Sequence, residues 1–118
     1  TCALPILVIR PTVREADGLA MSSRNKYLTP AQRREAVVLF KSLKEAEERI
    51  KRGERDPEAL KETIMQKISA AKEARPDYVE IVDTGELRPV STVAGSCLIA
   101  VAVKFGQTRL IDNIVVEV

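Results

Sequence analysis

The hydrophobic residues that follow residue 30 recur every three or four positions, and this spacing predicts an amphipathic helix. Thr29 can cap its start, Pro30 fits the first helical position, and Gln32 can return the hydrogen bond of a capping box. Gly53 supplies a stop signal, so we expect one helix over residues 30–52. Its apolar stripe consists of Ala36, Leu39, Phe40, Leu43, Ala46 and Ile50.

A second helix is predicted shortly after the first, because Asp56 and Pro57 repeat the signal of a cap followed by proline. This helix should end before Pro76, since proline disfavours the helical conformation of the residue before it. Only residues 53–55 separate the two helices, which indicates an antiparallel hairpin. The apolar face of the second helix consists of Leu60, Ile64, Ile68 and Ala71.

Beyond residue 76 the apolar residues alternate or are β-branched, which predicts strands. The first strand ends at a turn signal over residues 83–85. A nearly continuous apolar run predicts a second strand over residues 97–103, and residues 109–118 form a third. Residues 104–107 between them have the composition of a hairpin turn.

Residues 11–28 break the regular pattern. A turn signal at residues 17–18, two adjacent serines and several charged residues predict a polar loop about eighteen residues long, and such loops are usually functional or disordered. Disorder is the simpler alternative, but the loop carries more apolar side chains than a solvated linker usually does. These are Val13, Leu19, Met21, Tyr27 and Leu28.

The order of elements predicts an α+β domain: a small antiparallel sheet of about three strands backed by the two-helix hairpin, preceded by a strand and the long loop. A chain of 118 residues suits one domain over residues 1–118. The opening residues lack the pattern of a signal peptide. Their β-branched run over residues 6–9 suits a strand whose partners lie elsewhere, so we expect residues 1–10 to be a terminal strand or a linker from another part of a longer protein.

Charge and composition exclude several classes of function. The 19 basic and 17 acidic residues give a formal net charge of +2, which gives no support to a nucleic-acid or membrane partner. The chain contains no histidine, so a histidine base, a histidine metal site or a Ser-His-Asp triad cannot be formed within it. Cys2 and Cys97 lie far apart without a CxxC motif, which argues against a disulfide framework and for a reducing cytoplasm.

The candidate chemistry lies in the loop, since neither a GxGxxG nor a Walker motif is present. The hydroxyl groups of Ser22 and Ser23 and the guanidinium of Arg24 form a plausible polyphosphate site, because arginine forks and neutral donors both match phosphate oxygens. A solvated serine-rich turn is the alternative. No metal-ligand cluster is expected in the chain.

The sequence PTVRE at residues 11–15, followed by DGLAMSSRN at residues 17–25, resembles the signature of the pantothenate synthetase, or pantoate–β-alanine ligase, family. The resemblance continues through DYVE at residues 77–80 and TRLIDN at residues 108–113. It covers essentially the whole chain and corresponds to the family's C-terminal domain only.

The resemblance implies a two-domain enzyme whose Rossmann-like N-terminal domain binds pantoate and β-alanine and carries an HxGH motif, with this chain as a lid over ATP. Residues 1–10 would then belong to that missing domain or to the linker. The family uses ATP and Mg²⁺ to form pantoyl adenylate and pyrophosphate, after which β-alanine displaces AMP. We therefore expect the complete enzyme to be a cytoplasmic homodimer and the isolated chain to be inactive. The alternative is a stand-alone α+β binding or interaction module without catalysis.

By the same resemblance, residues 21–24 take the place of the KMSKS-type loop of the nucleotidyltransferase superfamily, with Arg24 as the main cation. Arg24, Ser22 and Ser23 would stabilise the phosphates during catalysis, while the backbones of two further residues would lie against the adenine. The implied ATP-binding residues are Val13, Met21, Ser22, Ser23 and Arg24. For Val13 and Met21, packing against their own domain is the alternative.

Two other pairs of residues are expected to have structural roles. Arg14 and Glu15 are expected to form a surface ion pair with each other, or else to brace the loop. Asp112 and Asn113 would form a turn or bulge in the last strand. Their place in the TRLIDN motif suggests a structural contact with the loop, and the structural role is the one we expect.

Overall fold

Two helices begin where the capping signals predict, at Pro30 and at Pro57. A computed structural model describes residues 12–118. A short 3-10 helix (Ser23–Tyr27) is followed by α1 (Pro30–Glu35), α2 (Val38–Lys51) and α3 (Pro57–Ser69). The strand predicted at residues 6–9, the linker assigned to residues 1–10 and Cys2 lie outside the described residues. Within residues 12–118, no helix is long and apolar enough to cross a membrane.

The single helix predicted over residues 30–52 is in fact two helices, and that prediction was wrong. Ala36 and Val37 separate α1 from α2, with ψ angles of −21° and −20° that are closer to 3-10 than to α-helical geometry. The N–H of Leu39 accordingly donates to the carbonyl of Ala36, three residues back, at 3.2 Å. Val37 and Val38 are adjacent β-branched residues, and such residues weaken a helix because their side chains lose rotamer freedom against the preceding turn.

The three strands form one antiparallel sheet in the order β1 (Ala74–Asp83), β2 (Ser96–Phe105) and β3 (Thr108–Glu117). β1 carries a bulge between Pro76 and Tyr78, whereas β2 and β3 pair without a register shift. A two-residue turn that starts at Gly106, with φ +63°, joins β2 to β3. Glycine at this first turn position is what a type II′ hairpin requires. The predicted hairpin and the α+β arrangement are confirmed.

The core lies between one face of the sheet and the helices. The central strand contributes Ile99, Val101 and Val103, all fully buried, because alternate residues of a strand point to the same face. The predicted apolar stripes of the helices cover this face, and Phe40 and Ala71 are their partly exposed members. The thiol of Cys97 is also fully buried in this core. β3 is an edge strand of the sheet, which leaves its outer backbone groups open to the loop at residues 12–28.

Candidate functional site

The loop at residues 12–28 is folded, which corrects the expectation of a segment without secondary structure. Arg14 and Ala20 form an antiparallel bridge, and the N–H of Met21 donates to the carbonyl of Val13 at 2.8 Å. The turn between these short arms is closed by the N–H of Gly18, which donates to the carbonyl of Glu15 at 2.9 Å. The arms therefore hold the start of the candidate phosphate-binding segment in a fixed place.

The candidate phosphate-binding segment itself begins the 3-10 helix. Ser22 is the N-cap, and its Oγ accepts a hydrogen bond from the N–H of Arg24 at 3.1 Å. This bond uses a lone pair of the Ser22 hydroxyl and leaves its O–H available as a donor. Asn25 ties the helix back to the arms, because its Nδ2 donates to the carbonyl of Ala20 at 3.0 Å. The buried Oδ1 of Asn25 has no partner among the described residues.

The residues predicted to bind ATP share an exposed position. Val13 and Met21 are 67% and 53% exposed, and the side chains of the serines and the arginine are exposed as well. The alternative for Val13 and Met21 was packing against their own domain. Such packing covers less than half of the surface of either residue. We call this set the outer face of the loop. It consists of Val13, Met21, Ser22, Ser23 and Arg24.

The opposite side of the loop is anchored by Arg14. Its Nη1 and Nη2 donate to Oδ2 and Oδ1 of Asp112 at 2.6 and 3.0 Å, a bidentate ion pair. The same guanidinium donates to the carbonyls of Gly18 and Asn113 at 3.1 and 3.3 Å and lies 4.3 Å from the centre of the Phe40 ring. The surface ion pair expected between Arg14 and Glu15 is wrong, since the partner of Arg14 is a buried residue of β3.

The expectation of a turn or bulge at Asp112 and Asn113 is also wrong. The two residues lie in regular register opposite Val101 and Ala100. Asp112 is buried in β3, where its carboxylate meets Arg14, and its Oδ1 also accepts a hydrogen bond from the N–H of Asn113 at 2.7 Å. The expected structural contact between this motif and the loop is therefore present.

Two arginines of the loop attach it to the free edge of β3. Arg24 donates through Nη1 to the carbonyl of Arg109 at 3.2 Å, and Arg14 donates to the carbonyl of Asn113. Outward-facing backbone groups of an edge strand have no strand partner, so side-chain donors can satisfy them. The loop thus lies along the edge of β3, and the two contacts fix its direction.

A cavity of about 340 Å³ lies between the loop and β3 and is lined by residues of both. Leu19, Leu39 and Leu110 contribute apolar wall, and Arg24 and Arg109 contribute guanidinium groups. The same two arginines also line a second, more open cavity of about 630 Å³ towards the end of the hairpin. The arrangement suits a ligand that combines an apolar ring with anionic groups.

The side chain of Arg109 was not singled out by the sequence analysis. Its Nε donates to Asp77 at 2.9 Å, and its guanidinium lies 5.6 Å from the centre of the Tyr78 ring. Asp77 is exposed. Arg109 is the second residue of the motif at residues 108–113 that carried the family resemblance, and this was the available signal. Arg24, in contrast, has no ion pair with any carboxylate of residues 12–118.

An exposed ion pair joins the loop to α1. The hydrogen bonds from the Arg33 guanidinium hold the pKa of the Asp17 carboxyl below its ordinary value, and the same bonds raise the pKa of Arg33.

No group of three or more His, Cys, Asp or Glu side chains that could hold a metal ion occurs in the described part of the chain. Of the charged side chains that line the cavity between the loop and β3, Arg24 and Arg109 are cationic, and the carboxylate of Asp112 is paired with Arg14.

The fold and the loop define a small α+β domain whose exposed loop carries two serine hydroxyls and the guanidinium of Arg24. The chain belongs to the pantoate-beta-alanine ligase family, whose model matches residues 2–115. The resemblance found in the sequence is thereby confirmed.

Relatives of known name support the assignment. The chain is 54% identical over 112 residues to the pantothenate synthetase of Acetivibrio thermocellus, a match that covers 95% of this chain and 40% of that protein. It is 55% identical over 116 residues to the pantothenate synthetase of Heliobacterium modesticaldum, covering 98% of this chain and 41% of that protein. The chain thus spans about 40% of the length of the curated relatives it matches.

A solved structure shows the same fold. The crystal structure of pantothenate synthetase from Thermus thermophilus superposes with a TM-score of 0.82 and 40% sequence identity. The match covers 89% of this chain and 38% of that one.

Proposed function

We propose that this chain is the ATP-binding C-terminal lid domain of a two-domain pantothenate synthetase. The complete enzyme would condense pantoate with β-alanine through pantoyl adenylate, releasing pyrophosphate and then AMP. One observation carries the proposal: the outer face of the loop is exposed, although the loop beneath it is anchored to the sheet. A rigid loop with outward donors is suited to a ligand held between this domain and another, because it needs little reorganisation on binding.

Arg24 is the group that we propose to act during adenylation. The pantoate carboxylate attacks the α-phosphorus of ATP, and the bond to the leaving oxygen breaks, so negative charge grows on the departing pyrophosphate. A guanidinium fixed beside those oxygens stabilises the transition state more than the ground state. Within residues 12–118, only Nη1 of the Arg24 side chain is engaged, at the carbonyl of Arg109, which leaves its other N–H donors for phosphate oxygens.

The serines complete the phosphate site. Ser22 can donate its O–H to a phosphate oxygen while its Oγ continues to cap the 3-10 helix. Ser23 adds an exposed hydroxyl beside it. The base would lie against Val13 and Met21, whose backbones are already paired with each other and so form a fixed surface for an aromatic ring.

Mg²⁺ would accompany ATP in the complete enzyme, but the described residues offer no acidic cluster for it. Magnesium commonly takes its ligands from substrate phosphates and water, with one or two carboxylates. We therefore assign the ion to the nucleotide phosphates and to no residue of this chain. Pantoate and β-alanine would bind mainly to the N-terminal domain. The cytoplasmic location, the homodimer and the absence of nucleic-acid or membrane partners stay predictions.

The test uses Arg24→Ala in the complete two-domain enzyme, with Arg34→Ala as the matched control because Arg34 is an exposed arginine of α1. We expect Arg24→Ala to slow single-turnover adenylate formation by about 10²- to 10³-fold, the effect of losing one charge-stabilising donor, with little change in pantoate affinity. Arg34→Ala should adenylate at the wild-type rate. Equal rates for both variants would refute the role of Arg24.

The lid assignment has its own measurement. The 118-residue chain alone should release no AMP from pantoate, β-alanine and ATP, and a separately expressed N-terminal domain should restore release. Turnover by the chain alone would contradict the assignment. Tight binding of an unrelated ligand by the chain alone would instead favour the stand-alone module.

A further inference from the structure

We propose that Arg14 and Asp112 form a positioning pair, which sets the loop on β3 so that Arg24 reaches the phosphates. The inference rests on the proposed function, since it assigns these residues a role in the same site. Neither residue belongs to the outer face of the loop, so both would act through Arg24 and not on the substrate.

The pair fixes the guanidinium of Arg14 in place. Its two terminal nitrogens make four hydrogen bonds, of which two go to the Asp112 carboxylate and two to backbone carbonyls. The Phe40 ring covers one face of the guanidinium. The side chains of Arg14 and Asp112 are only 17% and 1% exposed, so water competes weakly for these bonds.

The Arg14–Asp112 pair is connected to Arg24 through the loop and through β3. Arg14 is bridged to Ala20, and Asn25 binds the carbonyl of Ala20, so the segment between them is held at both ends. Along β3, the carbonyls that accept from Arg14 and Arg24 lie four residues apart, about 13 Å at the rise of a strand. β3 therefore carries both contacts and sets the position of Arg24 relative to Arg14.

The loop is also held by the buried side chain of Leu19, but its other polar contacts with β3 and α1 are exposed and weaker than the Arg14–Asp112 pair. Arg24 reaches β3 through one exposed hydrogen bond, which water can replace. The Asp17–Arg33 ion pair holds the same loop to α1, but its side chains are 45% and 33% exposed, and exposed ion pairs contribute little. Losing the buried pair should therefore release the loop, whereas losing the exposed pair should not.

The experiment compares Asp112→Asn and Arg14→Lys with Asp17→Asn in the complete enzyme. We expect Asp112→Asn to slow adenylate formation by about 10- to 100-fold and to raise the KM for ATP, because a catalytic group displaced by about 1 Å loses this much. Arg14→Lys should share the defect, since an ammonium keeps the charge but cannot make the bidentate fork. Pantoate affinity should not change, and Asp17→Asn should stay within about twofold of wild type.

Amide hydrogen exchange separates a positioning role from a general loss of stability. In Asp112→Asn, amides of residues 15–25 should lose protection, while those of residues 97–103 in β2 should keep most of theirs. If Asp112→Asn fails to fold, Arg14→Lys decides the question by the same two measurements. A wild-type adenylation rate in the folded variant, or unchanged loop protection, would overturn the inference.

Arg24→Ala, measured alongside, distinguishes a failure of the positioning role from a failure of the proposed function. If it slows adenylation while Asp112→Asn and Arg14→Lys do not, the positioning role fails and the proposed function stands. If Arg24→Ala adenylates normally, the proposed function itself fails.

Discussion

The tightest contact beneath the loop occurs at Gly18, and replacing this residue by alanine tests it. Gly18 has φ +100°, a conformation that a residue with a Cβ adopts only with strain. A Cβ at this position would lie 2.3 Å from Cδ2 and 2.9 Å from Cε2 of the Phe40 ring. Phe40 cannot simply move aside, because its ring also packs against the Arg14 guanidinium.

The expected loss of stability has two parts. The positive φ costs about 1–2 kcal/mol in any residue with a side chain. Forcing a methyl group into a filled space costs about 1–3 kcal/mol more. Gly18→Ala should therefore lower the free energy of unfolding by about 2–5 kcal/mol, a large share of the stability of a small domain.

Gly53→Ala is the matched control, since Gly53 has φ +112° and, apart from its two chain neighbours, no described residue has an atom within 4 Å of its would-be Cβ. It should lose only the first part, about 1–2 kcal/mol. Urea titration of both variants measures the difference, provided that the slope of unfolding free energy against urea is unchanged. Equal losses in the two variants would refute the close approach between Gly18 and Phe40, and with it the packing beneath the loop.

Two further predictions concern the scaffold. Backbone N–H groups, chiefly that of Glu86 at 2.6 Å, lower the pKa of Asp83 from its ordinary 3.8. The carboxylate of Asp83 therefore stabilises the fold above that pH and ceases to do so as the pH falls through the lowered value. In an acid titration, the difference in unfolding free energy between wild type and Asp83→Ala should close below about pH 4. Thr29→Ala removes the acceptor of the capping box and should lower the free energy of unfolding by about 1 kcal/mol in a urea titration, whereas Thr29→Ser should retain most of it.

The sequence predicted those elements whose signals are local. Thr29 and Pro30 start a helix because the cap and its partner Gln32 lie within one turn, and Gly106 starts a hairpin turn because the turn needs only its own φ. The break at Ala36 and Val37 was missed. Both residues remain in the helical region, so the hydrophobic stripe continues through them and its period gives no warning.

The sequence predicted the outer face of the loop but not the contacts beneath it. The outer face of the loop came from the resemblance in residues 11–25, and the structure places every residue of that face at the surface. The anchor beneath it was missed, because Arg14 and Asp112 are 98 positions apart and no local pattern reports a pairing over that distance. Glu15, the nearest carboxylate in the sequence, was the natural but wrong partner. Arg109 was missed for the same reason, since its place beside Arg24 depends on how the loop lies along β3.

The position of the loop on an edge strand explains why residue 14 needs to be arginine, although a lysine would carry the same charge. The outer carbonyls of β3 need donors, and an uncovered edge would invite pairing with another chain. Arg14 satisfies one such carbonyl, that of Asn113, while it pairs with Asp112, and only a planar group with several N–H donors can do both at once. Covering the edge and orienting Arg24 are therefore two results of the same contacts. A substitution that frees the loop should thus have two measurable effects, slower adenylation and a β3 edge whose amides exchange faster, and finding one without the other would show that the two roles are separable.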